Sequence, residues 1–172
     1  MTHVSQSAGY FADSGGTSAG ATATALPLAG GLITLADLRR GRIDHALAMA
    51  IPYTRASVWS LPAQRTDGYI HDVNAIPEGA RFRLDPKLNI DALHLPAFTA
   101  MLAKAAQRYG ILLRDKSAVV SFYAQDPSPT GTNPWASALT PSKVAIMRAF
   151  PWDHLQVMRT ALRTWSGKQV SR

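Results

Sequence analysis

The sequence predicts an α+β fold, specifically a mainly antiparallel β-sandwich or jelly-roll-like domain with two or three inserted helices. Nearly half of the 172 residues are apolar (47%), so the chain can bury a core of ordinary size for one domain. Only 17% are charged, and the 12 glycines and 11 prolines are typical of turn-rich domains that contain strands. Strand and helix patterns do not alternate regularly, which argues against a parallel βαβ arrangement.

Three segments show the two-residue period of strands. Positions 43–51, which read IDHALAMAI, alternate and are followed by a proline. Their second face is rich in alanine, so we expect both faces of this strand to be covered. Positions 57–61 predict a second short strand. Positions 80–84 alternate cleanly and predict a half-buried strand whose outer face carries Arg81 and Arg83.

Two helices have clear boundary signals. Over 34–41, Thr34 is a capping residue with Asp37 three positions later, and Gly41 suits the left-handed residue that ends a helix. Over 96–109, apolar residues recur at helical spacing after a proline in the first turn. Both segments are therefore predicted helices inserted among the strands.

The C-terminal half adds further elements. Positions 111–115 and 118–125 predict a hairpin with a two-residue turn between its strands. Positions 140–150 predict a helix that begins with a threonine cap and a proline. Positions 154–162 predict a closing strand.

The composition divides the chain into three parts. Positions 1–31 are polar, almost uncharged and rich in Gly, Ser, Thr and Ala, and they predict a flexible lead-in arm. Positions 32–165 are predicted to form a single β-rich domain, followed by a basic tail at 166–172. No apolar run approaches the roughly 20 residues of a membrane-spanning helix, and no secretory signal is visible.

Several kinds of site are excluded or disfavoured by composition. Cysteine is absent, which excludes disulfides, thiol catalysis and cysteine-based zinc sites. The five histidines show no metal-ligand spacing, and the glycine-rich segment at 12–20 lacks the P-loop pattern. We therefore expect no metal and no cofactor.

The net charge of +7 has two interpretations. Six basic residues and one acid fall within positions 143–172, so most of the excess lies at the C-terminal end. The charge either attracts an anionic partner, such as an acidic glycan or a nucleic acid, or belongs to a solvated surface. No nucleic-acid-binding motif appears and aromatic residues do not interleave with the basic ones, so a nucleic-acid partner has the least support.

The densest group of polar side chains is the loop PAQRTDGYIHD at positions 62–72. Its arginine suits contact with a carboxylate, and its histidine and tyrosine suit proton transfer. His45 joins this site if the strand at 43–51 delivers its ring toward the loop. The alternatives are a core histidine and a solvated loop. The candidate catalytic residues are His45, Arg65, Asp67 and His71, and the candidate substrate-binding residues are Gln64, Tyr69 and Trp59.

Several long phrases resemble one protein family. They are GATATALPLAGGLITLADLRRGRIDHALAMAIP, WSLPAQRTDG, IPEGARFRLDP, MLAKAAQRYGILLRDKSAVVSFYAQDP and AFPWDHLQVM. Over positions 20–158 the chain resembles the C-terminal portion of uncharacterised secreted or envelope-associated proteins of actinobacteria and other soil bacteria. The resemblance implies an extracellular or cell-envelope location and a larger β-rich unit with an additional N-terminal half. In a shorter chain it implies exposed faces that self-association would cover. It implies no reaction and no catalytic residue.

Three functions follow as alternatives. We favour a β-rich extracellular domain that binds or cleaves a polysaccharide, with aromatic rings stacked on sugar faces. The second is a structural or assembly protein of a virion, coat or envelope, which works through subunit packing as a homo-oligomer with exchanged arms. The third is a basic protein associated with nucleic acid. The sequence leaves open whether the chain is an enzyme.

Overall fold

The computed structural model describes residues 11–12, 18–19 and 22–165. In this part of the chain the helices are α1 (Leu35–Arg40), α2 (Ala97–Arg108), α3 (Trp135–Ala138) and α4 (Lys143–Arg148). The strands are β1 (Phe11–Ala12), β2 (Ser18–Ala19), β3 (Leu47–Ile51), β4 (Thr54–Ser60), β5 (Ile76–Glu78), β6 (Arg81–Leu84), β7 (Ile111–Lys116), β8 (Ser121–Phe122), β9 (Leu155–Val157) and β10 (Leu162–Thr164).

The strands of the described residues form two mixed sheets and one small pair. The larger sheet has the order β8-β3-β7-β6-β9, the second has the order β10-β4-β5, and β1 pairs with β2. Each larger sheet contains one parallel pair, β3 with β7 and β4 with β5, beside antiparallel neighbours. The α+β class predicted from the sequence is confirmed, and neither sheet closes into a barrel.

Helix α1 confirms its predicted boundary signals. Thr34 and Asp37 form the capping box, in which the Asp37 N–H donates to Thr34 Oγ1 (3.1 Å) and the Thr34 N–H donates to Asp37 Oδ2 (2.8 Å). Gly41 ends the helix in the left-handed region at φ 66°. This short helix delivers the chain to the start of the central strand β3.

The strand predicted over 43–51 begins only at Leu47, so the prediction is wrong for its first four residues. His45 lies in the connection before the strand, where its ring Nε2 is 3.2 Å from Asp37 Oδ2 and its Nδ1 is 2.9 Å from the Ala46 carbonyl oxygen. These contacts hold the connection against α1. The strand itself is buried from Leu47 to Ala50, as its two apolar faces predict.

The hairpin predicted over 111–125 is also wrong. Strands β7 and β8 both pair with β3, on opposite edges, so Met49 has Leu113 on one side and Phe122 on the other. The buried apolar run of β7 pairs in parallel with the equally buried β3, and this pairing prevails over the local turn.

Three further predicted elements are confirmed with shifted ends, and one is divided. Strand β4 begins three residues before the predicted 57–61, and β6 buries Phe82 and Leu84 as its alternation predicts. Helix α4 begins after Ser142, whose hydroxyl caps it, rather than at the predicted threonine. The single strand predicted over 154–162 is divided into β9 and β10, which belong to different sheets.

The core lies between α2 and the five-stranded sheet. Its fully buried side chains include Leu102, Ile111 and Leu113.

The last ten residues of the predicted arm, 22–31, also pack: Thr24 is 0% exposed and its hydroxyl donates to the Arg114 carbonyl oxygen at 2.7 Å. The segment from Thr22 to Leu26 therefore belongs to the packed domain, because its polar groups find internal partners. Most of the arm's earlier positions and the tail at 166–172 lie outside the described residues. None of the described helices has the length and apolarity needed to cross a membrane.

Candidate functional site

Three carboxyl groups from separate parts of the sequence converge beside the second sheet. They belong to Asp67 in the loop after β4, Glu78 at the end of β5 and Asp115 near the end of β7. One oxygen atom of each lies within 4.8 Å of an oxygen atom of the others. The sequence predicted only Asp67 as a member of a site.

A glycine follows two of these acids and explains their placement. The position that a Cβ would take on Gly68 lies 2.1 Å from the Arg55 carbonyl oxygen, and on Gly79 it lies 1.8 Å from the Ser60 carbonyl oxygen. Gly79 also has φ +80°. Only glycine permits such close approach to the backbone of β4. The Asp-Gly and Glu-Gly pairs therefore bring both acids to the same strand.

Glu78 is a buried carboxyl group that keeps its proton at neutral pH. Its side chain is 0% exposed, and burial, together with a hydrogen bond to the Asp67 carboxyl group, raises the pKa of Glu78 from 4.5 to about 8. The Asp67 backbone N–H donates to Glu78 Oε2 at 3.3 Å, while Oε1 has no hydrogen-bond partner among the described residues. A protonated Glu78 fits this arrangement, because burial disfavours the charged form and the Asp67 carboxyl group, within 4.8 Å, would repel a second negative charge.

The upper side of the cluster is open to solvent. Lys116 Nζ lies 3.0 Å from Asp67 Oδ2 and also donates to the Asp67 carbonyl oxygen at 3.0 Å. The hydrogen bond to Asp67 raises the pKa of Lys116. The same ammonium is 5.7 Å from the centroid of the Tyr69 ring, and Tyr69 is 51% exposed. We call Asp67, Tyr69 and Lys116 together the Asp67 surface.

The lower side of the cluster is closed by a buried arginine. Arg114 is 0% exposed, its guanidinium carbon lies 3.8 Å from the Tyr123 ring centroid, and its Nη1 donates to the carbonyl oxygens of Leu28 (2.6 Å) and Gly30 (2.9 Å). Burial lowers the pKa of Arg114, and the charge of Asp115 opposes that change. Arg114 therefore fixes the turn over 27–30 beneath the site.

Two arrangements of charge fit these three carboxyl groups: a bound cation, or a proton on Glu78. Three carboxyl groups at this spacing are a donor set that hard cations such as Ca²⁺ accept. With Glu78 protonated, however, the negative charges of Asp67 and Asp115 face the positive charges of Lys116 and Arg114. We therefore interpret the cluster as a carboxyl pair that shares a proton.

The structure brings together only part of the predicted site. Asp67 and Tyr69 belong to the Asp67 surface. Arg65 lies nearby but is committed to backbone: its Nε donates to the Ala23 carbonyl oxygen at 3.0 Å and its Nη2 to the Thr22 carbonyl oxygen at 3.1 Å. Its guanidinium therefore holds the segment at 22–23, which corrects the prediction that it is presented to a substrate.

The other predicted site residues lie apart from these contacts. Gln64 is half-buried, with its backbone N–H bonded to Thr24, and His71 is exposed on the loop. Trp59 is only 6% exposed and packs edge-on against Trp165, with ring centroids 5.0 Å apart, so the exposed ring expected there is wrong. His45 lies before β3, which begins only at Leu47. Its ring therefore contacts Asp37 of α1 and not the loop at 62–72.

Sequence reasoning missed three residues of the site, which are Glu78, Asp115 and Lys116. Glu78 stands in a Pro-Glu-Gly sequence that indicates a turn, and Asp115 follows an apolar strand pattern whose end looks solvated. One signal was available, since Glu78 is the only glutamate in the chain and directly precedes a glycine. No family model, curated protein or solved structure matches this chain.

Proposed function

We propose that this chain binds an acidic polysaccharide at the Asp67 surface. The observation that supports the proposal best is the grouping of an exposed aromatic ring, an ammonium and a carboxylate above a buried, protonated Glu78. Recognition of sugars needs a flat apolar face together with fixed hydrogen-bonding groups, and these residues supply both within one surface.

Each residue of the surface has a distinct role. The face of the Tyr69 ring stacks on a sugar ring, while its hydroxyl donates to the Pro52 carbonyl oxygen at 3.2 Å and so fixes the ring. Lys116 donates to hydroxyl groups and attracts the carboxylate or sulfate of the polymer. Asp67 accepts hydrogen bonds from sugar hydroxyl groups, and its backbone N–H donates to Glu78 Oε2, which fixes the position of the loop.

The net charge of +7 favours an acidic polymer over a neutral one. Binding is the primary proposal. Cleavage would use Asp67 as the general base, because the ionised Asp67 is exposed while Glu78 is buried. An extracellular or envelope location and a sandwich-like packing of the two sheets belong to the same proposal.

The test is titration calorimetry with acidic and neutral oligosaccharides, combined with a reducing-end assay on the corresponding polymers. We expect Tyr69→Ala and Lys116→Ala each to weaken binding of the acidic ligand at least about tenfold. Tyr53 is also exposed (67%), and Lys104 forms a comparable surface ion pair with Asp91, so Tyr53→Ala and Lys104→Ala are matched controls that retain binding. Equal losses in both pairs of variants, or no heat with any acidic ligand, would contradict the proposal.

Association with nucleic acid stays a prediction with less structural support. Two arginines near the end of α1 are already paired with carboxylates, Arg40 with Asp37 and Arg42 with Asp44 at 2.9 Å. Arg83 donates to the side chain of Gln156 at 3.2 Å. Fewer cations are thus available for phosphate groups than the sequence indicates.

A further inference from the structure

A second feature, independent of the Asp67 surface, is an apolar groove of about 1270 Å³ beside strand β8. It runs between the end of α2, β8, α3 and α4, and we call it the Val120 groove. The side chains that define it here are Val120, Phe122, Trp135, Val144, Ile146 and Trp152.

The walls of the groove are preformed and offer few polar groups. Trp152 stacks on Phe122 with an interplanar angle of 10°, and Trp135 packs edge-on against Phe98 at 5.8 Å between centroids. Both indole N–H groups are used within the chain, by the carbonyl oxygens of Gln125 (2.9 Å) and Met147 (2.7 Å). The aromatic and aliphatic walls suit the apolar side chains of a partner, and the polar groups that line the groove lie beside them.

The rim of the groove leaves aliphatic side chains in water. Val119 is 65% exposed, Val120 is 37% exposed and Val144 is 58% exposed. Single exposed valines are ordinary on protein surfaces, but three along one apolar groove form a patch of the kind found at protein interfaces.

Strand β8 forms one edge of the five-stranded sheet and lies along this groove. Among the described residues it pairs with β3 on one side, and no strand covers its other side. An open edge next to an apolar groove fits an added strand, because the backbone groups bond to the edge while side chains enter the groove. The occupant is therefore a polypeptide rather than a lipid or another small molecule.

The open edge of β8 is complementary to itself when antiparallel, and the groove carries charges of both signs, so both features favour a second copy of the chain as the occupant. Asp126 and the two cations Lys143 and Arg148 line the same groove. Within the described residues no carboxylate lies within 4.0 Å of either cation. In an isologous interface each copy presents the same groove to the other, so an acid and a cation of one copy can each meet the opposite charge of its partner.

We propose that two copies of this chain associate through the Val120 groove, with β8 of one copy antiparallel to β8 of the other. The two five-stranded sheets then become continuous, and the exposed valines of each copy are covered by the partner. This interface does not depend on polysaccharide binding.

The test measures molar mass by light scattering and sedimentation equilibrium over a range of concentrations. We expect a dimer for the unaltered chain, and at least a tenfold weaker association for Val144→Asp and for Val120→Asp. Val157 is 53% exposed on β9, at the other edge of the same sheet, so Val157→Asp is a matched control that retains the dimer. Circular dichroism and urea midpoints check that each variant is folded.

Charge exchange tests the twofold geometry. Asp126→Lys and Lys143→Asp each weaken the dimer, and the double variant restores it. A chain that stays monomeric up to about 1 mM would overturn the proposal. A dimer that persists in Val144→Asp would also overturn the proposal. The same holds for a monomer that binds an apolar dye or a different protein in the groove.

Discussion

Replacing Glu78 by glutamine should remove a pH dependence of stability that the buried carboxyl group creates. Folding raises the pKa of Glu78 from 4.5 to about 8, so between these values the native state keeps a proton that the unfolded state releases. The free energy of unfolding therefore falls as the pH rises through this window, and it levels off above the upper value. This rise in the pKa of Glu78 corresponds to a fall in the free energy of unfolding of about 5 kcal/mol at most.

The assay is urea denaturation of both proteins at several pH values. Glutamine carries no charge at any pH, so the difference in unfolding free energy between the unaltered chain and Glu78→Gln should change by roughly 2 to 5 kcal/mol from pH 5 to pH 8. Asp91→Asn is the control, because the Asp91 side chain is 80% exposed. A difference that is the same at pH 5 and pH 8 would refute the assignment of a proton to Glu78.

Three further substitutions test how the fold supports the site, each by urea denaturation. Burial alone would raise the pKa of Asp37, but its hydrogen bonds hold the pKa below the ordinary value of 3.8. Asp37→Asn should therefore lower the free energy of unfolding by about 1 kcal/mol at pH 7 and by less at pH 3. An equal loss of stability at both pH values would count against a role for the charge of Asp37. Gly79→Ala should lower the free energy of unfolding by more than about 2 kcal/mol, because the added methyl group meets the Ser60 carbonyl oxygen. Unchanged stability would show that β4 can move away from the methyl group. Arg114→Leu should lower the free energy of unfolding by about 3 kcal/mol and increase amide hydrogen exchange in the turn over 27–30, because the guanidinium bonds to carbonyl groups of that turn. Unchanged exchange would show that the guanidinium does not hold the turn.

Much of the fold was predictable because the signals are local. The capping box of α1, the period of α2 and the alternation of β6 depend on neighbours within a few residues, and all three are confirmed. The supposed hairpin after α2 failed because β7 and β8 each bond to β3, which lies more than 60 residues earlier in the chain. Adjacency in sequence did not indicate the strand that lies between them.

The candidate site was predicted only in part for a similar reason. Asp67 and Tyr69 share one loop, so their closeness is visible in the sequence. Glu78, Asp115 and Lys116 reach the site through the pairing of β5 with β4 and the packing of β5 against β7, which no local pattern records. The prediction for His45 was wrong because its ring contacts Asp37 of the preceding helix and not a residue of the loop at 62–72.

The most direct test of a protonated Glu78 beneath a ligand-binding surface uses the fact that the chain contains one glutamate. Selective ¹³C labelling of glutamate gives a single side-chain carboxyl signal, whose pH titration can be followed with and without an acidic oligosaccharide. We expect the signal to titrate near pH 8 and to shift when the ligand covers Asp67. A titration near pH 4.5 that is unaffected by any acidic ligand would contradict both the shared proton and the binding surface built above it.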